Sequence, residues 1–109
     1  MSSESEIIIQ VKTDAEKIPE QITWKAPQAG FTDIRAAEAL MLSLWDPKER
    51  NSMRLDLWTK EMTIDDMKQF IYQGIILMSE TLENATGEKE MAEQMRDFAR
   101  CFAEKYGFV

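Results

Sequence analysis

The chain contains no histidine. That removes the commonest general base and the commonest metal ligand, and with them any Ser-His or Cys-His nucleophile pair. Its single cysteine, Cys101, has no partner for an internal disulfide, which fits a reducing compartment. Set between Arg100 and Phe102 in a helical pattern, it reads as a small packing residue. The four glycines (Gly30, Gly74, Gly87 and Gly107) are scattered, so there is no glycine-rich phosphate loop. Long apolar runs are missing too. IIIQV is far too short to span a membrane, and no basic, apolar-cored leader opens the chain. Positive charge is the minority sign: 20 acidic against 13 basic residues give a net charge of −7, which repels phosphate backbones and anionic lipid. Lys48, Arg50, Arg54 and Lys60 come nearest to a basic patch, but Glu49, Asp56 and Glu61 interrupt it. The expectation is a soluble cytoplasmic protein with no nucleic-acid partner and no membrane insertion.

What is present is patterning. The 109 residues suffice for one domain with a real core, placed over residues 6–109 behind a polar, disordered tail at 1–5. Ser5 to Thr13 alternates as a strand, with Ile7, Ile9 and Val11 on one face. Pro19 then sets a turn, and Gln21 to Lys25 forms a second strand carrying Ile22 and Trp24 on one face. APQAGFTD, residues 26–33, reads as a loop that nothing in its composition orders. Thr63 followed by Asp65 and Asp66 is a helix start, capped and suited to the positive end of the helix dipole. Ile64, Met67, Phe70, Ile71, Ile75, Met78 and Leu82 follow at helical spacing. NATG makes a tight reversal into a second helix, from about Glu88 to Lys105, with Met91, Met95, Phe98 and Phe102 as its apolar stripe. So short a link predicts antiparallel packing. The terminal KYGFV is apolar enough to dock on its own domain.

Residues 34–58 decide the sheet. IRAAEALMLSLW satisfies both a helical and a two-residue period. Asp46-Pro47 starts a turn, however, and Met53, Leu55 and Leu57 then alternate with Arg54, Asp56 and Trp58. The second run needs a partner, and the segment before the turn is the nearest. Four strands followed by two helices predict an α+β fold: a four-stranded antiparallel sheet with the helical hairpin packed on one face. The leucines, Met53, Ile22 and Trp24 would lie under the helices. Ile8, Thr23, Met41, Ser43, Trp45, Arg54, Asp56 and Trp58 would form the outer face. Loops could cover those tryptophans. Alternatively Trp45, Trp58 and Met41 with Arg54 nearby form a protein-binding patch, the simplest version being a homodimer of stacked faces. Two registers are open. Trp45 opposite Ser52 puts the tryptophans roughly 20 Å apart, and a shift of two brings them to about 13 Å.

Catalytic chemistry is not found. Asp65 and Asp66 are adjacent on a helix and diverge. Glu88, Glu90, Glu93 and Asp97 read as a solvated helix face, since no turn-shaped ligand loop accompanies them. Mid-helix Gly74 is explained most simply by a close approach of the sheet or the second helix, with a small-residue contact to another subunit as the alternative. No catalytic, cofactor or metal residue is assigned.

Two long stretches, LMLSLWDPKERNSMRLDLWTKEMTIDDMKQF and ATGEKEMAEQMRDFARCFAEKYG, closely resemble the GldC family of gliding-motility-associated proteins of Bacteroidota. The resemblance runs over residues 5–107, densest at LSLWD, residues 53–60, DMK, ATGEK and MRDFA. It implies a small non-enzymatic accessory protein supporting gliding motility or the associated type IX secretion machinery, and it implies no reaction. A four-stranded sheet followed by two helices is also similar in architecture to the SecB export chaperones, which makes a holdase for secretion clients the alternative.

Overall fold

A computed structural model describes residues 3–108. Of the expected tail, residues 1 and 2 lie outside the described residues, while 3–5 are exposed and without regular structure. Five strands and two helices follow in the order βββββαα, and the chain divides into two compact units at Met62/Thr63. The class is therefore α+β, as the patterning predicts, but the strands do not form one four-stranded sheet. They form a three-stranded sheet in the order β1-β2-β3 and a separate two-stranded hairpin, β4-β5.

In the first unit β1 (Ile8–Thr13) pairs antiparallel with β2 (Pro19–Ala26), setting Ile9 opposite Trp24 and Val11 opposite Ile22. The third strand, β3 (Phe31–Ala37), is the one sequence periodicity misses. Its start lies inside the segment read as a loop. Pro27 opens a short 3-10 turn over Pro27–Ala29, and Gly30 ends it at φ 88°, a left-handed conformation suited to a residue without Cβ. The reversal lays Phe31 opposite Ala26 and Ala37 opposite Ile22. Ala36 and Ala37 favour helix in isolation, but pairing with Thr23 and Ile22 decides their conformation. Ile22 is 1% exposed and is the largest fully buried apolar side chain. Beside it Trp24 packs on Phe31 with ring centroids 5.0 Å apart, and the Arg35 guanidinium lies 4.9 Å over the Phe31 ring.

A bend at Glu38 separates β3 from β4 (Ala39–Asp46), so the ambiguous segment is two strands in two sheets rather than a helix. Asp46 builds the turn into β5 (Asn51–Trp58): its Oδ1 accepts from the Lys48 amide at 2.9 Å and the Glu49 amide at 3.3 Å. The leucine face of this hairpin is uneven. Leu40, Leu42 and Leu57 are half-buried, whereas Leu44, Met53 and Leu55, expected in the core, are exposed.

One ion pair ties the far end of the hairpin to the β1-β2 turn. Asp14 Oδ1 accepts from the amides of Glu16 (2.8 Å) and Ile18 (2.9 Å), while its Oδ2 lies 2.8 Å from Lys60 Nζ. The Lys60 ammonium, followed by the Ile18 amide, holds the Asp14 carboxyl below its ordinary 3.8, and Asp14 in turn raises Lys60 above 10.5. A depressed carboxyl contributes stability that is complete above its unfolded value and is lost as pH falls through the folded one. The lysine contribution is complete below 10.5 and is lost as pH rises through its raised value. Asp14→Asn keeps the turn acceptor and removes the charge. It is expected to melt below wild type at neutral pH, with the gap closing as pH falls below 3.8. Parallel melting curves across that range would remove the pair from the stability account.

In the second unit α1 (Ile64–Thr86) begins where the cap predicts: Thr63 Oγ1 accepts from the Asp66 amide at 3.0 Å. It ends at Gly87, φ 76°, whose amide returns to the Glu83 carbonyl. The second helix, α2 (Lys89–Tyr106), runs back along it. Glu83 meets Arg96, Tyr72 meets Phe102 and Lys68 meets Tyr106, so positions rise on one helix as they fall on the other. The buried stripe of α2 is Ala92, Ala99 and Ala103, not the expected Met91 and Phe98, which are exposed; Met95 and Phe102 are half-buried. On α1 the fully buried residue is Ser79, with Ile64, Ile71 and Met78 exposed at seven-residue spacing. A Cβ at Gly74 would meet nothing of α2 within 4 Å, so close approach by the second helix does not explain that glycine. Phe108 docks as expected, against Tyr72 at 5.6 Å between centroids; Val109 lies outside the described residues.

Candidate functional site

The register of the hairpin settles where its side chains lie. Ala39 faces Trp58, Met41 faces Asp56, Ser43 faces Arg54 and Trp45 faces Ser52. Residues directly opposite share a face, so Met41, Trp45, Arg54 and Trp58 do lie together on one side, away from the leucines. The two tryptophans stand at opposite ends, six positions or roughly 20 Å apart. Trp45 is 60% exposed and Trp58 55%. Among the described residues nothing covers more than half of either.

Between them the face is polar and ordered. Arg54 Nε donates to Asp56 Oδ1 at 2.9 Å, and its Nη2 reaches Met41 Sδ at 3.2 Å. The guanidinium thus contacts a carboxylate two residues on and a thioether across the ladder. Ile8 and Thr23, expected on this face, belong instead to the three-stranded sheet, so the surface is the hairpin alone. Two residues that periodicity did not suggest join it. Ile18 and Pro19 close a recess of about 240 Å³ with Asp56, Leu57 and Trp58. Their placement depends on the β1-β2 turn, which the Lys60–Asp14 pair holds near the end of β5. Lys60 also lies 3.8 Å from Glu20 Oε1, so the placement rests on long-range contacts to which no local signal points.

A second recess, about 210 Å³, is lined by Ile7, Ile9, Ile22, Trp24, Ala37, Ala39 and Leu40 and is almost wholly apolar. Neither recess collects converging carboxylates. Among the described residues no three of His, Cys, Asp and Glu are placed to hold a metal ion, and no helix is long and apolar enough to cross a membrane. Glu93 and Asp97 on α2 are engaged by arginines: Glu93 by Arg96 at 3.0 Å and by Arg100, and Asp97 by Arg100. Cys101 is exposed rather than packed.

These features define a small α+β protein whose conspicuous surface is an aromatic hairpin face. The family model described as "Gliding motility-associated protein GldC-like" matches residues 19–107, and the chain belongs to that family. Comparison with curated proteins and with solved structures returns no match.

Proposed function

We propose that the protein is a non-enzymatic cytoplasmic accessory of gliding motility or of type IX secretion, acting through protein contacts on the Trp45–Trp58 face of the hairpin. The observation that carries this reading is the exposure of both tryptophans on the face that also carries Met41 and Arg54. Exposed Trp, Met and Arg are the residue types that anchor protein interfaces, and each tryptophan has a large apolar body to desolvate. Recovery of partners from a gliding bacterium with wild type and with Trp45→Ala/Trp58→Ala tests it. Partners retained by wild type and lost by the variant support the face; identical partner sets refute it.

The holdase alternative no longer has the four-stranded likeness that suggested it. It is favoured instead by the apolar side chains exposed in both units, among them Leu44, Met53, Ile64 and Phe98. Suppression of the aggregation of an unrelated unfolded client at several-fold molar excess would establish it, and no suppression would remove it.

A further inference from the structure

The free edge of β5 carries information that its faces do not. The Thr59 amide donates to the Glu38 carbonyl at 2.9 Å, and the Arg50 amide to the Asp46 carbonyl at 2.8 Å. Glu38 and Asp46 lie eight positions apart, at the two ends of β4, and both turn their carbonyls toward β5. Hydrogen-bonded and non-hydrogen-bonded pairs alternate along an antiparallel ladder. The even-numbered residues of β4 therefore bond inward to Asn51, Met53, Leu55 and Leu57. Ser52, Arg54, Asp56 and Trp58 are left with their amides and carbonyls directed away from β4, where no other strand pairs with them among the described residues.

Edges of this kind are usually guarded by proline, charged side chains or a bulge. The β1-β2 and β2-β3 pairings are each interrupted by a register shift, at Lys12/Thr13 and Trp24/Ala26. The eight pairs of β4-β5 run without one, Asn51–Trp58 contains no proline, and its two charges, Arg54 and Asp56, are paired with each other. A two-stranded sheet gains stability from added strands that extend its apolar face. The edge is regular and unpaired by any strand, with Ile18 and Pro19 standing near its Asp56–Trp58 end.

We propose that β5 pairs antiparallel with β5 of a second copy of this chain about a two-fold axis at Leu55, joining two hairpins into a four-stranded sheet. Edge groups must meet edge groups, which leaves three central registers. Two of them set Arg54 against Arg54, or Asp56 against Asp56. The third sets Arg54 of each copy against Asp56 of the other and Ser52 against Trp58, giving the longest ladder with opposite charges paired twice. Self-complementarity of this kind is what an isologous two-fold interface requires. On the opposite face Leu55, 51% exposed in the single chain, meets its own copy, and Met53 meets Leu57. This inference goes beyond the proposed function, because it uses the backbone edge and leaves the occupant of the tryptophan face open.

The test uses the full chain with Cys101→Ser, since the native thiol is exposed. Leu55 would form a non-hydrogen-bonded pair with its copy, with Cα atoms about 4.5 Å apart, within disulfide range. Leu55→Cys is expected to cross-link to a covalent dimer on mild oxidation. Met53→Cys and Leu57→Cys singly should not, and the two together should. In light scattering at tens of micromolar, wild type should have the mass of a dimer. Arg54→Asp should weaken association at least about tenfold, and Arg54→Asp/Asp56→Arg should restore it. A monomeric wild type, an unchanged dimer in Arg54→Asp, or cross-linking through Met53→Cys rather than Leu55→Cys would overturn the proposal. Partner recovery by Trp45→Ala is read separately from dimer mass, so loss of one without the other shows which surface has been misassigned.

Discussion

Ile22→Ala is expected to destabilise the first unit by about 2–5 kcal/mol, the largest loss from any single apolar truncation in the strands. Ile22 is the central residue of the central strand, opposite Val11 on one side and Ala37 on the other. At 1% exposure its whole side chain is removed from water, so truncation loses the transfer free energy and leaves a cavity. The wall of that cavity, with Ile9, Trp24 and Leu40, already borders a recess and cannot easily collapse onto the gap. Domains of this size are typically stable by about 5–15 kcal/mol, so a melting temperature lower by about 10–20 °C follows. Ile34→Ala makes the same chemical change at a residue 68% exposed and should shift stability by no more than about 0.5 kcal/mol. Equal shifts for the two variants, followed by circular dichroism on heating, would show that the three-stranded sheet is not the core of this unit.

Trp45→Ala and Trp58→Ala are each expected to weaken capture of a partner by about thirtyfold, the loss of about 2 kcal/mol typical of an aromatic anchor. The same variants should fold and melt nearly as wild type, because more than half of each side chain contacts nothing in the single chain. That contrast between unchanged stability and lost binding distinguishes a contact surface from a structural one. At roughly 20 Å apart the two anchors share no neighbours, so their losses should add and the double variant should fall by about a thousandfold. Titration of a captured partner against the single and double variants measures this. A large drop in melting temperature with no selective loss of binding would reassign both residues to folding.

Several elements were readable from local chemistry alone. The Thr63 cap, the Gly87 reversal and the Asp46-Pro47 turn each depend on side chains bonding to backbone a few residues away, and each formed where the residues require it. The alternation of residues 39–58 likewise put Met41, Trp45, Arg54 and Trp58 on one face, since a period of two does not depend on what lies beyond the hairpin. The third strand was harder, because Phe31 to Ala37 mixes strand and helix formers and Pro27 and Gly30 look like punctuation in a loop. Its conformation is set by β2, a partner that local preference does not identify. The apolar stripes of the helices misled for a related reason. Helical spacing predicts which residues share a face but not which face is buried, and on α2 the alanines, not Met91 and Phe98, are the buried ones.

The sequence by itself determined the α+β class, the ends of the helices, the hairpin and its two-sided pattern, the acidic charge and the want of histidine chemistry, all of which are fixed by composition or by interactions within a turn or two. The tertiary structure alone decided that the strands divide three and two at Glu38, that Trp45 pairs with Ser52, that Ile18 and Pro19 reach Trp58, and that both tryptophans stand in solvent. Those outcomes depend on pairing between segments distant in the chain, where many registers satisfy the same local pattern and only the competition among them selects one.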